Sequence, residues 1–139
     1  MKRGHRDGDS GQATAFIAIV AVALIMVAGM AYDGGQFLRA YLEANDLAEA
    51  AARAGAQATG PGDLFSGDIS LDPAAAQANV AEFMAASGHP GAATATATAD
   101  SVTVIVTLEQ SAYILPIGSR SISATATAEP TRGVTAADS

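Results

Sequence analysis

The longest apolar stretch of the chain runs from Ala13 to Tyr32, twenty residues without a charged side chain. A helix rises about 1.5 Å per residue, so this stretch is about 30 Å long as a helix, which matches the hydrocarbon core of a bilayer. The pattern therefore predicts a membrane-spanning helix. Its predicted anchoring positions are small, apolar or aromatic: Ala13, Phe16, Val20, Leu24, Val27 and Tyr32.

A cleaved secretory signal peptide is the alternative, because it also combines a basic start with an apolar run. Gly29 or Ala31 would end a small-residue cleavage site. However, the run is longer than the apolar region of a usual signal peptide, and the helical pattern continues beyond Tyr32. These two observations favour an uncleaved anchor or a pilin-type leader.

Beyond Tyr32 the helical pattern continues to about Ala58. Small and apolar residues recur at alternating steps of three and four, and polar residues occupy the opposite side. We predict one helix from about Gln12 to Ala58. A kink or hinge at Gly34 and Gly35 is plausible, because each glycine costs a helix about 1 kcal/mol relative to alanine. The apolar side beyond the membrane forms what we call the seam: Phe37, Tyr41, Ala44, Ala48, Ala51 and Gly55.

The small residues of the seam let another backbone approach closely. One interpretation is that the seam covers the chain's own sheet, since an amphipathic helix in a small domain usually packs within its chain. The other is that it is an assembly surface for a second subunit. The sequence leaves both interpretations open.

The remaining residues predict one small α+β domain. Residues 59–71 are rich in turn-forming residues, and Asp72 with Pro73 supplies the N-cap and first turn of a short helix that ends near Ser87. Three segments of period two follow, which predict three strands: residues 93–99, 102–108 and 121–128. Asp100 and Ser101 are the predicted hairpin connection between the first two strands.

Five consecutive residues between the second and third strands, Tyr113 to Ile117, are apolar, aromatic or proline. They are either a loop tucked over the sheet edge or an exposed apolar contact patch. The segment after Pro130 has no apolar pattern, which predicts a disordered C-terminal tail.

Charge is divided unequally along the chain. The first ten residues hold three bases and two acids, whereas residues 33–139 hold four bases and twelve acids. A basic flank stays in the cytoplasm. We therefore expect a single-pass protein of the cytoplasmic membrane, with a cytoplasmic tail at residues 1–10, the long helix at residues 11–58 and an extracytoplasmic domain at residues 59–139. The acidic domain lacks the basic face that nucleic-acid binding requires.

No group of side chains predicts a catalytic or metal site. The two histidines, His5 and His89, have no neighbouring arrangement that builds a triad or a zinc site, and the chain has no cysteine. Five aspartates are better explained as helix flanks, polar-face positions, turns or caps than as catalytic or metal-binding groups: Asp33, Asp46, Asp63, Asp68 and Asp72. We expect no enzyme activity, no cofactor, no metal and no small-molecule substrate.

Residues 11–58 resemble the N-terminal module of the TadE/TadG-like proteins of bacterial tight-adherence (Flp) pilus assembly systems. The shared features are a glycine before a small or polar residue, an apolar run, an Asp-Xaa-Gly at the membrane exit, an acidic residue in an Ala-rich helix and an Ala-Gly-Ala end. In this sequence they correspond to Gly11 and Gln12, the run to Tyr32, Asp33 and Gly35, Glu49, and residues 54–56.

The resemblance implies a pilin-like build, in which a long N-terminal helix lies on an antiparallel sheet. The expected fold class is thus α+β, with a long transmembrane helix, a short second helix and a three-stranded antiparallel sheet. The resemblance also implies a structural part of a Tad/Flp-type pilus assembly or secretion machine. Its partners would be the membrane and other pilus assembly membrane proteins or pilin-like subunits.

One departure bears on processing. Pilins cut by prepilin peptidase usually have a glutamate five residues after the cleavage glycine, but if Gly11 is that glycine the position is Phe16. This favours an anchor or minor subunit over a self-polymerising major pilin, while cleavage at Gly11 stays open. The alternative function is a membrane-tethered extracytoplasmic module that binds a cell-envelope component on its Thr-rich strands.

Overall fold

The structure, a computed structural model, describes residues 7–59 and 70–130. Within these residues the fold is α+β, as predicted, with two helices and one antiparallel sheet. The elements are α1 (Asp7–Gly55), α2 (Pro73–Ala86), β1 (Ala93–Ala97), β2 (Val102–Ser111) and β3 (Ser119–Ala128). The basic residues of the predicted tail, most of the turn-rich segment and the predicted disordered end lie outside the described residues.

Helix α1 runs without interruption for 49 residues. Gly34 and Gly35, where the sequence makes a kink or hinge plausible, lie inside it and are both exposed, and the helix continues through them. Two glycines cost the helix about 2 kcal/mol relative to alanine. We attribute the continuity to the packing of the following turns against the domain, which outweighs this cost.

The core lies between the two helices and one face of the sheet. The strand order is β1-β2-β3, and all neighbours are antiparallel. Successive side chains of the central strand β2 point to opposite faces of the sheet, and Val102, Val104 and Val106 are fully buried against the helices. Helix α2 contributes Val80 and Met84 to the same core. Because this core has few large side chains, its stability depends on close packing.

Helix α2 begins as its sequence predicts. One carboxylate oxygen of Asp72 accepts hydrogen bonds from the backbone N–H groups of Ala74 at 2.9 Å and Ala75 at 3.3 Å, and Pro73 fills the first turn. The helix ends at a cap formed by Ser87, and Gly88 follows with φ of +82°. Asp72 therefore fixes the helix start after the bridge between Thr59 and Leu71.

The two hairpins differ from the prediction in detail. Thr98 N–H donates to the Ser101 carbonyl oxygen at 2.8 Å, so the turn between β1 and β2 centres on Ala99 and Asp100, one residue earlier than predicted. Strands β2 and β3 pair as far as Ser111 and Ser119, further than the alternation of apolar residues extends. The connection between them, residues 112–118, is called the β2–β3 loop below.

Candidate functional site: where the long helix leaves the membrane

The first half of α1 stands free of the domain. Residues 11–28 are all exposed, including Phe16 at 67% and Leu24 at 65% of their accessible surface. The other predicted anchoring residues are exposed as well: Ala13, Val20, Val27 and Tyr32. In the part of the chain that the structure describes, one helix, Gly11–Gly55, is long and apolar enough to cross a membrane. Gly11, the glycine at which leader cleavage stays open, lies within α1.

The second half of α1 carries the seam, and most of it faces this chain's own core. Ala44, Ala48 and Ala51 are fully buried there, and Gly55 is buried as well. Phe37 is half-buried and Tyr41 is 49% exposed. In the folded domain, the part of the seam from Ala44 to Gly55 is therefore covered by this chain itself.

Gly55 shows how closely the elements approach. A Cβ atom at this position would lie 2.9 Å from both Val102 Cγ1 and Val80 Cγ2. These distances are well inside ordinary van der Waals contact, so the crossing of α1 over α2 and β2 requires a residue without a side chain.

Asp33 is the buried charged residue where α1 leaves the apolar run, with 1% of its surface exposed. Its Oδ1 accepts from the N–H groups of Tyr113 at 3.0 Å and Ile114 at 3.3 Å. Its Oδ2 accepts from Ile114 at 3.1 Å and Leu115 at 2.7 Å. One carboxylate thus binds three consecutive N–H groups of the β2–β3 loop, about 80 residues away in sequence.

The pKa of Asp33 reflects two opposing effects. Burial alone would raise the pKa of this carboxyl, because it disfavours the charged form. The backbone N–H groups of Leu115, Tyr113 and Ile114 bind the ionised form, and together they hold the pKa below its ordinary value. Asp33 therefore binds the loop as a carboxylate at neutral pH.

Gly29 lies one helical turn before Asp33 and is also covered by the loop. A Cβ atom at Gly29 would lie 2.5 Å from Ile114 Cγ2 and 3.3 Å from Ile114 Cβ. Only a glycine lets the Ile114 side chain lie directly against the helix backbone here. Gly29, Asp33 and residues 113–115 together form what we call the loop contact.

The loop contact was not expected from the sequence. The sequence predicts a helix flank at Asp33, and Gly29 would end a cleavage site in the signal-peptide alternative. It predicts either a loop over the sheet edge or an exposed apolar patch at residues 113–117. In the structure the loop backbone lies on α1, while Tyr113, Ile114 and Ile117 remain 72%, 50% and 47% exposed. One sequence feature does point to Asp33 as a special position, since it is the first acidic residue after a long charge-free run.

Further polar contacts join α1 to the end of α2 and lie along the exposed side of α1. His89 Nδ1 donates to the Ser87 carbonyl oxygen at 3.0 Å, and its Nε2 lies 3.4 Å from Glu43 Oε1, which links the end of α2 to α1. Glu49 pairs with Arg53 at 2.7 Å on the exposed side of α1. Across residues 11–59 and 70–130, no three acidic or histidine side chains form a group that could hold a metal ion.

Comparison with protein-family models gives a match to part of the chain. Residues 11–58 match the Tad family model, described as Flp pilus-assembly TadE/G-like. Neither the curated proteins nor the solved structures gave a match. The matched segment contains the free half of α1, the Asp33 position and the buried half of the seam. Residues 11–58, about a third of the chain, are therefore similar to the TadE/G-like Flp pilus-assembly family.

Proposed function

We propose that the chain is a membrane-anchored structural component, similar to a minor pilin, of a bacterial Tad/Flp-type pilus assembly or secretion machine. The observation that carries the proposal is the family match over residues 11–58, of which residues 11–55 lie on a single continuous helix. Half of that helix is exposed and apolar, and the other half is built into a small domain. Such a protein holds a folded domain at a fixed position next to a membrane.

The orientation follows from charge. The basic residues of the N-terminal tail stay on the cytoplasmic side, and the acidic domain lies outside. The anchor is residues 13–32, so the loop contact, which includes Gly29 and Asp33, lies at the outer end of the anchor.

Contacts with other subunits need a surface that the domain leaves uncovered. The seam from Ala44 to Gly55 is inside the domain, but Leu38, Tyr41 and Leu42 are 59%, 49% and 52% exposed on the same helix. Together with the exposed side chains of residues 11–28, they offer exposed helical surface for other pilus assembly membrane proteins or pilin-like subunits.

The outer face of the sheet favours this structural role over a binding module. Four of its hydroxyl groups pair across β2 and β3, with Thr103 Oγ1 2.9 Å from Thr127 Oγ1 and Thr107 Oγ1 2.9 Å from Ser123 Oγ. Hydroxyl groups that already have partners gain less from a polar ligand.

The proposal is tested by deleting the gene and imaging the cell surface. We expect loss of pili, or of the secreted product of the machine, and recovery with the wild-type chain. A secreted form, with residues 1–32 replaced by a cleavable signal peptide, should not restore assembly because it lacks the anchor. Normal pili and normal secretion in the deletion strain would refute the proposed function.

The topology gives a separate prediction. Protease added to intact spheroplasts should cut the chain beyond Gly60, because the domain lies outside, and should leave an epitope tag before Lys2 intact. Lysed spheroplasts provide the control in which the tag is also lost. Digestion of the tag in intact spheroplasts would show the reverse orientation.

A further inference from the structure

The exposed apolar side chains of the β2–β3 loop lie beside the membrane anchor. Tyr113, Ile114 and Ile117 are each about half exposed or more, and Pro116 between them is exposed as well. Residues 112–118 contain no charge, and the nearest charged residues on the two strands are Glu109 and Arg120. The patch is therefore apolar over its whole length.

The depth of these loop side chains relative to the membrane is set by their contact with α1. Ile114 packs on Gly29, which lies four residues before Asp33 and inside the charge-free run. At about 1.5 Å per residue, that contact lies about 6 Å on the membrane side of Asp33. Interfacial segments insert about 5–10 Å into the boundary between headgroups and acyl chains, so the loop reaches this depth.

The backbone N–H groups of the loop also have the hydrogen-bond partners that an apolar environment requires. The N–H groups of Tyr113, Ile114 and Leu115 bind Asp33. The Ala112 N–H donates to the Gly118 carbonyl oxygen at 3.1 Å, and the Ile117 N–H donates to the Leu115 carbonyl oxygen at 2.8 Å. Pro116 has no N–H group. Every N–H group from residue 112 to residue 117 thus has a partner, and lipid supplies none.

We infer that the β2–β3 loop is a second membrane-contacting element, which inserts into the outer lipid interface beside α1. This inference rests on the proposed membrane anchoring of α1. Tyr113 and Tyr32 lie at this level, where tyrosine is favoured because its ring is apolar and its hydroxyl is polar. The loop and the anchor then hold the domain at two points, which limits its rotation and tilt relative to the membrane.

The experiment uses single tryptophans, because the chain has none. The full chain is reconstituted into phosphatidylcholine vesicles, with or without brominated acyl chains, as Tyr113→Trp or as Ile117→Trp. Both positions are exposed, so neither change requires repacking. We expect blue-shifted emission and a loss of fluorescence in brominated vesicles at both positions.

Two reference variants separate the possible outcomes. Ile105→Trp is a matched negative control, because Ile105 is 43% exposed on the outer sheet face in the middle of β2, away from the loop. Leu24→Trp reports the anchor, and bromine should quench it strongly. If Leu24→Trp is quenched but the loop variants behave like Ile105→Trp, the inference is wrong and the exposed loop is left for a protein partner. If Leu24→Trp is not quenched, the membrane anchoring itself is wrong.

Discussion

Replacing Ala48 with leucine is expected to lower the free energy of unfolding by about 1–3 kcal/mol. Ala48 is fully buried where α1 crosses the sheet, and its neighbours along the helix, Ala44 and Ala51, are fully buried as well. Three additional carbon atoms have no space at such a crossing, so the helix and sheet must move apart or adopt strained rotamers. Thermal or denaturant unfolding of the full chain in detergent, followed by circular dichroism, measures the effect.

Ala78→Leu is the matched control for this substitution. Ala78 is exposed on α2, so the same added volume lies in solvent and should change stability by no more than about 0.5 kcal/mol. Equal stability of the two variants would contradict the packing of the seam in this structure.

The same variant also tests whether the seam binds another subunit. If the seam covers only its own domain, Ala48→Leu should leave co-purification with other pilus assembly proteins intact at a temperature where the domain stays folded. Lost co-purification from a domain of normal stability would instead assign the buried part of the seam to an intersubunit contact.

The sequence predicts the elements of this fold well because each one has a local pattern. The charge-free run and the spacing of small residues indicate α1, Asp72 and Pro73 indicate the start of α2, and the alternation of Val102, Val104 and Val106 indicates β2. The strand ends are predicted less accurately, because β2 and β3 continue to pair beyond the last residues of the apolar alternation.

The contacts between distant segments were not predictable in the same way. The seam has the same small residues whether it packs on its own sheet or on another subunit, so periodicity alone does not decide between them. The hydrogen bonds of Asp33 join residues about 80 positions apart, and no local pattern connects them. Similarly, Gly29 resembles any small residue near the end of an apolar run until Ile114 is seen against it.

Replacing Asp33 with alanine is expected to release the β2–β3 loop from α1. Three N–H groups would lose their acceptor at once, and partly buried donors without partners are unfavourable. Asp33→Asn should have a smaller effect in the same direction, because its amide keeps one acceptor oxygen and presents a donor to the remaining N–H groups. Asp46→Asn is the control, since Asp46 is an exposed acid on the same helix.

Disulfide cross-linking measures the release directly, because the native chain has no cysteine. A Cβ atom at Gly29 would lie 3.3 Å from Ile114 Cβ, close to the separation of about 3.5–4.5 Å found in disulfides. The Gly29→Cys/Ile114→Cys variant should therefore oxidise readily. Gly34→Cys/Ile114→Cys should not, since a Cβ at Gly34 has no neighbour within 4 Å.

Adding Asp33→Ala to the Gly29→Cys/Ile114→Cys variant should slow its cross-linking by roughly tenfold or more, because the loop then leaves the helix for much of the time. Adding Asp46→Asn should leave the rate unchanged. Equal rates with and without the Asp33 carboxylate would show that the packing of the loop on Gly29 suffices to hold it. In that case Asp33 would satisfy the loop N–H groups without fixing the loop on the helix.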